Sequence, residues 1–281
     1  MDPVLADSLS KKAIAAYEYG LINPGVTQTA PNREPYFYEE GNWVDDMELA
    51  AAAIYQLTSD AGYRRKALNY AAQEPVTPWM GADTARHYQW YPFHNFGHYE
   101  IARSSDEKTK AQLVSWYKKG IERVWAKAAG NAFYHGTPFI WCSNNLNTSF
   151  TIQCYLYRQL SADNSFAELE EAGFDWLMGC NPWGKTMIYG LGSGDSPLHP
   201  HSSLSFLYHY PLDGGLVDGP VYGSIFRNLR GLKLYQADKY AAFQSDLVVY
   251  HDDAGDYSTN EPTMDGTASL VYLLGAKESG K

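Results

Sequence analysis

A chain of 281 residues, 45% hydrophobic and of negative mean hydropathy, is long enough to bury one large core or two small ones, and nothing in it marks disorder. Lys and Arg number 22 against 32 Asp and Glu, and the net charge of −10 disfavours nucleic acid and anionic lipid as partners while suiting a neutral ligand. Cys142, Cys154 and Cys180 are too few for a disulfide framework and lack metal-like spacing, so they read as free thiols.

The dominant period along the chain is helical. Leu9, Ala13, Ala16 and Tyr17 mark a first helix. Met47, Ala50, Ala51, Ile54 and Tyr55 fall at i, i+3, i+4, i+7 and i+8 behind Asp45 and Asp46, a full amphipathic signature. Tyr63, Ala67, Tyr70 and Ala71 repeat it until Pro75 stops the helix. A shorter helix is expected from His94 to Arg103 and a long one through Leu113, Tyr117, Ile121, Val124 and Ala128. The segment Ser149 to Leu160 is apolar nearly all round, as expected of an inner helix covered on every side. Phe166, Leu169, Gly173, Trp176 and Leu177 mark the next helix, and Ala268 to Leu274 the last. Only Leu247 to Tyr250 reads as a short strand, so the fold class is all-α. No run of about 18 apolar residues offers a transmembrane helix, and Met1-Asp2-Pro3 is not a signal peptide.

Between Asn181 and Gln244 the periodicity lapses into a stretch rich in Gly, Pro and His, too long for a neutral connection and so expected to be functional. It leads to Asp252, Asp253, Asp256 and Glu261, carboxylates gathered before an apolar helical run with Tyr257 among them. Two readings compete. Acidic residues before a helix favour its positive end, with Thr259 or Asn260 as cap and Pro262 in the first turn. Alternatively, a loop at the mouth of a helical scaffold holds a carboxylic acid without fully solvating it, as proton donation to a glycosidic oxygen requires, and Glu261 is that acid. The 23 Tyr, 11 Phe and 8 Trp offer apolar faces with polar edges that suit sugars, although most must fill the core. His199 and His201, with His251, Asp252 and Asp253, could chelate zinc, and His94 and His98 sit one helical turn apart. Groove-lining or packed histidines explain both sets more cheaply, so no metal and no cofactor is expected.

The block Tyr250, Asp252, Tyr257, Glu261, Thr263 and Ala268 resembles the C-terminal signature of family 9 glycoside hydrolases, with Thr267 where the family usually has Asn. A second block upstream resembles the run that precedes the acid in that family. It comprises Cys180-Asn181-Pro182-Trp183-Gly184, Gly190-Leu191-Gly192, His199-Pro200-His201 and Leu212 to Pro220. The resemblance implies an (α/α)6 toroid of helical hairpins, of which residues 1–281 form an incomplete part, about the second half of a catalytic domain. It also implies inverting hydrolysis of a β-linked glucan such as cellulose or a related plant polysaccharide, with Glu261 as the general acid and a secreted or periplasmic location. His201, Tyr257, Trp141 and Trp183 are the implied substrate-binding residues. Trp141 lies in Phe139-Ile140-Trp141-Cys142-Ser143-Asn144, where Cys142 replaces a family Gly, and Ser203 stands where the family has a sugar-contacting Arg.

Inversion needs a second carboxylate about 6.5 to 9.5 Å from the acid to activate water. In the family that base lies in an N-terminal Asp-Ala-Gly-Asp motif. Asp253-Ala254-Gly255-Asp256 copies those letters but belongs to the acid's own block, so the base is expected outside this chain. A cut toroid would expose apolar stripes and self-associate, or pair with the missing half. Two alternatives stand beside this reading. One is a non-catalytic carbohydrate-binding half-toroid. The other is a toroid like the unsaturated uronyl hydrolases, whose catalytic segment Trp43-Val44-Asp45-Asp46-Met47 resembles, with Asp45 or Asp46 as the acid.

Overall fold

The computed structural model describes residues 2–25, 42–83, 94–192, 194 and 196–279; Met1 lies outside them. Among the described residues the architecture is all-α, as the periodicity predicts. Helix α1 spans Pro3–Ile22, α2 Val44–Thr58, α3 Ala61–Gln73, α4 Phe96–Arg103 and α5 Glu107–Ala128. They are followed by α6 at Ser143–Ser161, α7 at Ala167–Leu177, the short α8 and α9 at Ser203–Tyr208 and Gly223–Phe226, and α10 at Met264–Ser279.

Local chemistry explains the ends. Asp2, Asp60 and Asp106 sit in extended conformation before α1, α3 and α5, and each side chain accepts a backbone N–H of the first turn that has no intrahelical partner. Helix α3 stops one residue before the Glu74-Pro75 step, since Pro75 disfavours helical geometry in the residue before it. Residues 247–250 do not form the expected strand. Val249 makes only an isolated antiparallel bridge with Val221, because the loop around it turns to hydrogen-bond Ser245 and Gln244.

The helices alternate between two layers. α2 packs on α4, α4 on α6 and α6 on α10, while α1, α3, α5 and α7 pack outside them. The four inner helices begin at one end of the molecule. The carboxylate of Glu48 in the first turns of α2 meets Nδ1 of His98 in the first turn of α4, at 2.7 and 3.0 Å. Nε2 of His94, just before α4, lies 3.1 Å from the hydroxyls of both Ser149 in α6 and Ser269 in α10. The two histidines therefore serve separate inter-helix contacts. At the same end the long loop between α7 and α10 is laid down.

Helix α6 is buried nearly all round, as expected of Ser149 to Leu160, but it starts two turns earlier. Ser143, Asn144, Asn145, Asn147 and Thr148 are buried too, and their polar groups are spent on neighbours. Ser143 Oγ donates to the Pro220 carbonyl at 2.6 Å, Asn144 Nδ2 to that of Val217 at 3.0 Å, and Asn147 Nδ2 to that of Gly173 at 2.8 Å. A buried polar helix start has no apolar period to read, and its stability rests on partners far away in the chain. Gly219, at φ +92°, lets the loop come this close, since a Cβ there would stand 2.4 Å from Asn144 Cγ.

Candidate active site

Glu261 sits two residues before α10 on a loop fastened from both sides. Its carbonyl accepts Asp218 N–H at 2.8 Å, Thr259 accepts Gly219 N–H at 3.1 Å, and Pro262 bridges to Val217. Asn260 is buried. Its side chain donates to the His199 carbonyl at 2.6 Å and accepts the Tyr189 hydroxyl at 3.0 Å, while its carbonyl takes the His201 N–H at 2.9 Å. Thr259 Oγ1 bonds to Asp256 at 2.9 Å. Neither Thr259 nor Asn260 caps α10, and Pro262 lies outside its first turn, so the capping explanation of this block does not hold.

The other carboxylates of the block are structural. Asp252 accepts the backbone N–H groups of Leu198 and His199 at 2.9 Å. Asp253, buried, accepts those of Tyr235, Gln236 and Gly255. Burial pushes the Asp256 pKa up, but hydrogen bonds from His251 at 2.7 Å and Ser258 at 2.6 Å outweigh it and hold the group below the ordinary carboxylate range. These partners leave none of the three as a free base, consistent with reading the Asp-Ala-Gly-Asp letters as coincidence. The residues considered for zinc are likewise spoken for: His251 faces Asp256 and Asp238, and His201 faces Ala254. Among the described residues no group of three or more His, Cys, Asp or Glu is placed to hold a metal ion.

Glu261 lines a cavity of about 450 Å³ together with His201, Phe206, Tyr235, Ala254 and Pro262. The residue is exposed on its open side, but the protein mass around the carboxyl raises its pKa above the ordinary value, against a lowering by the facing His201. That is the direction a proton donor needs. Nδ1 of His201 lies 2.7 Å from the Ala254 carbonyl, so it carries the proton in that contact and Nε2 is left for other partners.

The predicted sugar-binding residues divide. Tyr257 is half-buried, stacked on Trp141 at 6.0 Å and 15° and edge-on to His201 at 6.1 Å, so these three form one aromatic group beside Glu261. Trp183 is a correction. It is 5% exposed, packed against Trp176 at 6.1 Å and Tyr250 at 5.3 Å, and its ring fills core space with no face open to a sugar. Cys142, in the place of a family Gly, has φ +55°, which explains the Gly, and its thiol donates to buried Asp218 at 3.2 Å. Phe206 and Tyr235 carry no motif, and the sequence reading missed both. The only signal was an aromatic pair inside a loop too long to be a neutral connection.

Asp45 and Asp46 open α2 beside Glu74, and neither lines the Glu261 cavity. Burial, then repulsion from Asp46 and Glu74, pushes Asp45 up to about 8, and burial pushes Glu74 up to about 7.

The sequence matches the model of glycosyl hydrolase family 9 over residues 1–274. No curated protein shows significant similarity to it. Among solved structures, a thermostable endoglucanase from Alicyclobacillus acidocaldarius superposes with a TM-score of 0.75 at 20% identity, covering 98% of this chain and 51% of that one. The catalytic domain of Clostridium thermocellum CelT gives 0.69 at 22%, covering 98% and 56%. A metagenome-derived family 9 endoglucanase gives 0.67 at 22%, covering 92% and 45%. The chain thus has the fold of these (α/α)6 toroids and spans about half the length of the structures it matches. The match covers the segment of Asp45 and Asp46 as well, and removes the support for a uronyl hydrolase. The match of the family model over residues 1–274, on a helical fold whose inner helices start at one end, places the chain in glycosyl hydrolase family 9.

Proposed function

We propose that residues 1–281 are the acid-bearing second half of an inverting catalytic domain that cleaves a β-linked glucan such as cellulose, with Glu261 as the general acid. The observation that supports this most is a carboxyl of raised pKa at the wall of a cavity, with every neighbouring carboxylate of its loop committed to backbone or histidine. Protonated Glu261 donates to the leaving glycosidic oxygen, and His201, Tyr257 and Trp141 hold the sugar beside it. The base that activates water comes from polypeptide other than these residues. Secretion or a periplasmic location suits an insoluble glucan substrate. Among the described residues no helix is long and apolar enough to cross a membrane.

The apolar edges of the half-ring support association with a complementary half or with a second copy. Val4 and Ile22 of α1 are 77% and 78% exposed, and Val271 of α10 is 64% exposed. The test is reducing-sugar release from β-glucan by this chain with and without the polypeptide carrying the first half of the toroid. Trace release alone and turnover on mixing are expected; robust release by the 281 residues alone would refute the division of labour. In the mixed enzyme, Glu261→Gln should lower turnover of substrates with poor leaving groups by about 10² to 10⁴, and of activated aryl glycosides much less. Equal small losses on both would remove Glu261 from the chemistry.

A further inference from the structure

The cavity that Glu261 enters is built on its far side from two rings that the acid loop itself holds in place. Phe206 and Tyr235 stack at 5.6 Å and 24° while remaining 52% and 62% exposed, so each keeps apolar surface open beside the acid. Their positions are set by backbone. Tyr235 and Gln236 donate their N–H groups to Asp253 at 3.0 and 2.9 Å, and Asp253 also takes the Gly255 N–H at 2.7 Å. The Lys233 carbonyl lies where a Cβ on Gly255 would stand, at 1.8 Å, so only glycine allows the Tyr235 loop to lie against the acid loop. Phe206 is held from the other side, since its N–H donates to Ser202 at 2.8 Å and the preceding His201 N–H donates to Asn260.

Two surface rings that only shielded each other would not need a buried carboxylate and a glycine contact to fix one of them relative to Glu261. We infer that Phe206 and Tyr235 form an aromatic subsite that takes an uncharged pyranose unit of the chain on the open side of Glu261. This rests on the glucan-cleaving reading above and adds the residues that select the substrate. The preference for an uncharged ligand follows from the lining: among the described residues no Lys or Arg faces the cavity, and away from Glu261 and His201 it presents only Tyr235, two serines and apolar groups, so the ring pair has no fixed charge beside it to hold a uronate. Rings so held bind the C–H face of a sugar with little loss of side-chain freedom.

The experiment titrates cellobiose and cellohexaose into the 281-residue chain by NMR, beside Phe206→Ala, Tyr235→Ala, Tyr235→Phe and His201→Ala, with circular dichroism confirming each fold. The parent chain should bind cellohexaose more tightly than cellobiose, and each ring deletion should weaken cellohexaose by about three- to tenfold. Tyr235→Phe, which keeps the ring, should bind as the parent does. Unchanged cellohexaose affinity in both ring deletions with a loss in His201→Ala would overturn the subsite and leave the glucan reading standing. No sugar bound by the parent chain would overturn both.

Discussion

Asp45 and Glu74 make the stability of this chain depend on pH in a direction opposite to that of paired carboxylates. Both lie half-buried between the start of α2 and the end of α3, beside Asp46, with Glu48 and His98 also near Glu74, and among the described residues one oxygen of each is buried with no hydrogen-bond partner. Asn42 donates to the other oxygen of Glu74. Burial favours the protonated forms, at about 8 for Asp45 and about 7 for Glu74, above the ordinary 3.8 and 4.5. Between those limits the folded state binds more protons than the unfolded one, so the stability these groups contribute is complete at low pH and is lost as pH rises through the folded values. Glu74 is among the charges that raise Asp45, and both groups keep some contact with water, so the pair counts as one proton. One proton corresponds to about 1.4 kcal/mol per pH unit, or about 3 kcal/mol between pH 5 and pH 7. The assay is urea unfolding followed by tryptophan fluorescence at pH 5, 6, 7 and 8 for the parent and for Asp45→Asn. The substitution should flatten the slope and leave the variant more stable than the parent at pH 8. A parent stability that holds or rises from pH 5 to pH 7 relative to Asp45→Asn would refute the assignment.

Asp253→Ala leaves three backbone N–H groups without their acceptor and should lower unfolding free energy by about 3 kcal/mol, read from urea midpoints at constant m; a loss below about 0.5 kcal/mol would mean that the loop re-pairs with water. Gly219→Ala combines φ +92° with a Cβ placed 2.4 Å from Asn144 Cγ, and should cost about 2 to 4 kcal/mol in the same measurement, with neutrality excluding a rigid contact there. The exposed apolar residues of α1 and α10 should make the isolated chain a dimer or larger species, and a well-behaved monomer at micromolar concentration in sedimentation would count against it.

The all-α class, most helix positions and the carboxylate block that carries the candidate acid were legible in the sequence because each is a local property. Met47 to Tyr55 share one face at helical spacing whatever they pack against. Asp252 to Glu261 keep their offsets because one tight loop folds on itself through Asp256, Ser258 and Thr259. What the sequence could not decide needed partners distant in the chain. Trp183 is expected to bind sugar, yet Trp176 and Tyr250 cover it, and the part of α6 before Ser149 shows no apolar period because its buried Asn and Ser side chains answer carbonyls near residues 173 and 217–220. Asp252, Asp253 and Asp256 carry the same carboxyl group as Glu261 on a side chain one methylene shorter, and it is their surroundings that separate them from it. The carboxylates that meet backbone N–H groups or His251 are spent on structure, while burial raises the pKa of Glu261 at its cavity wall, because desolvation and hydrogen bonding are set by the three-dimensional neighbourhood and not by the letter.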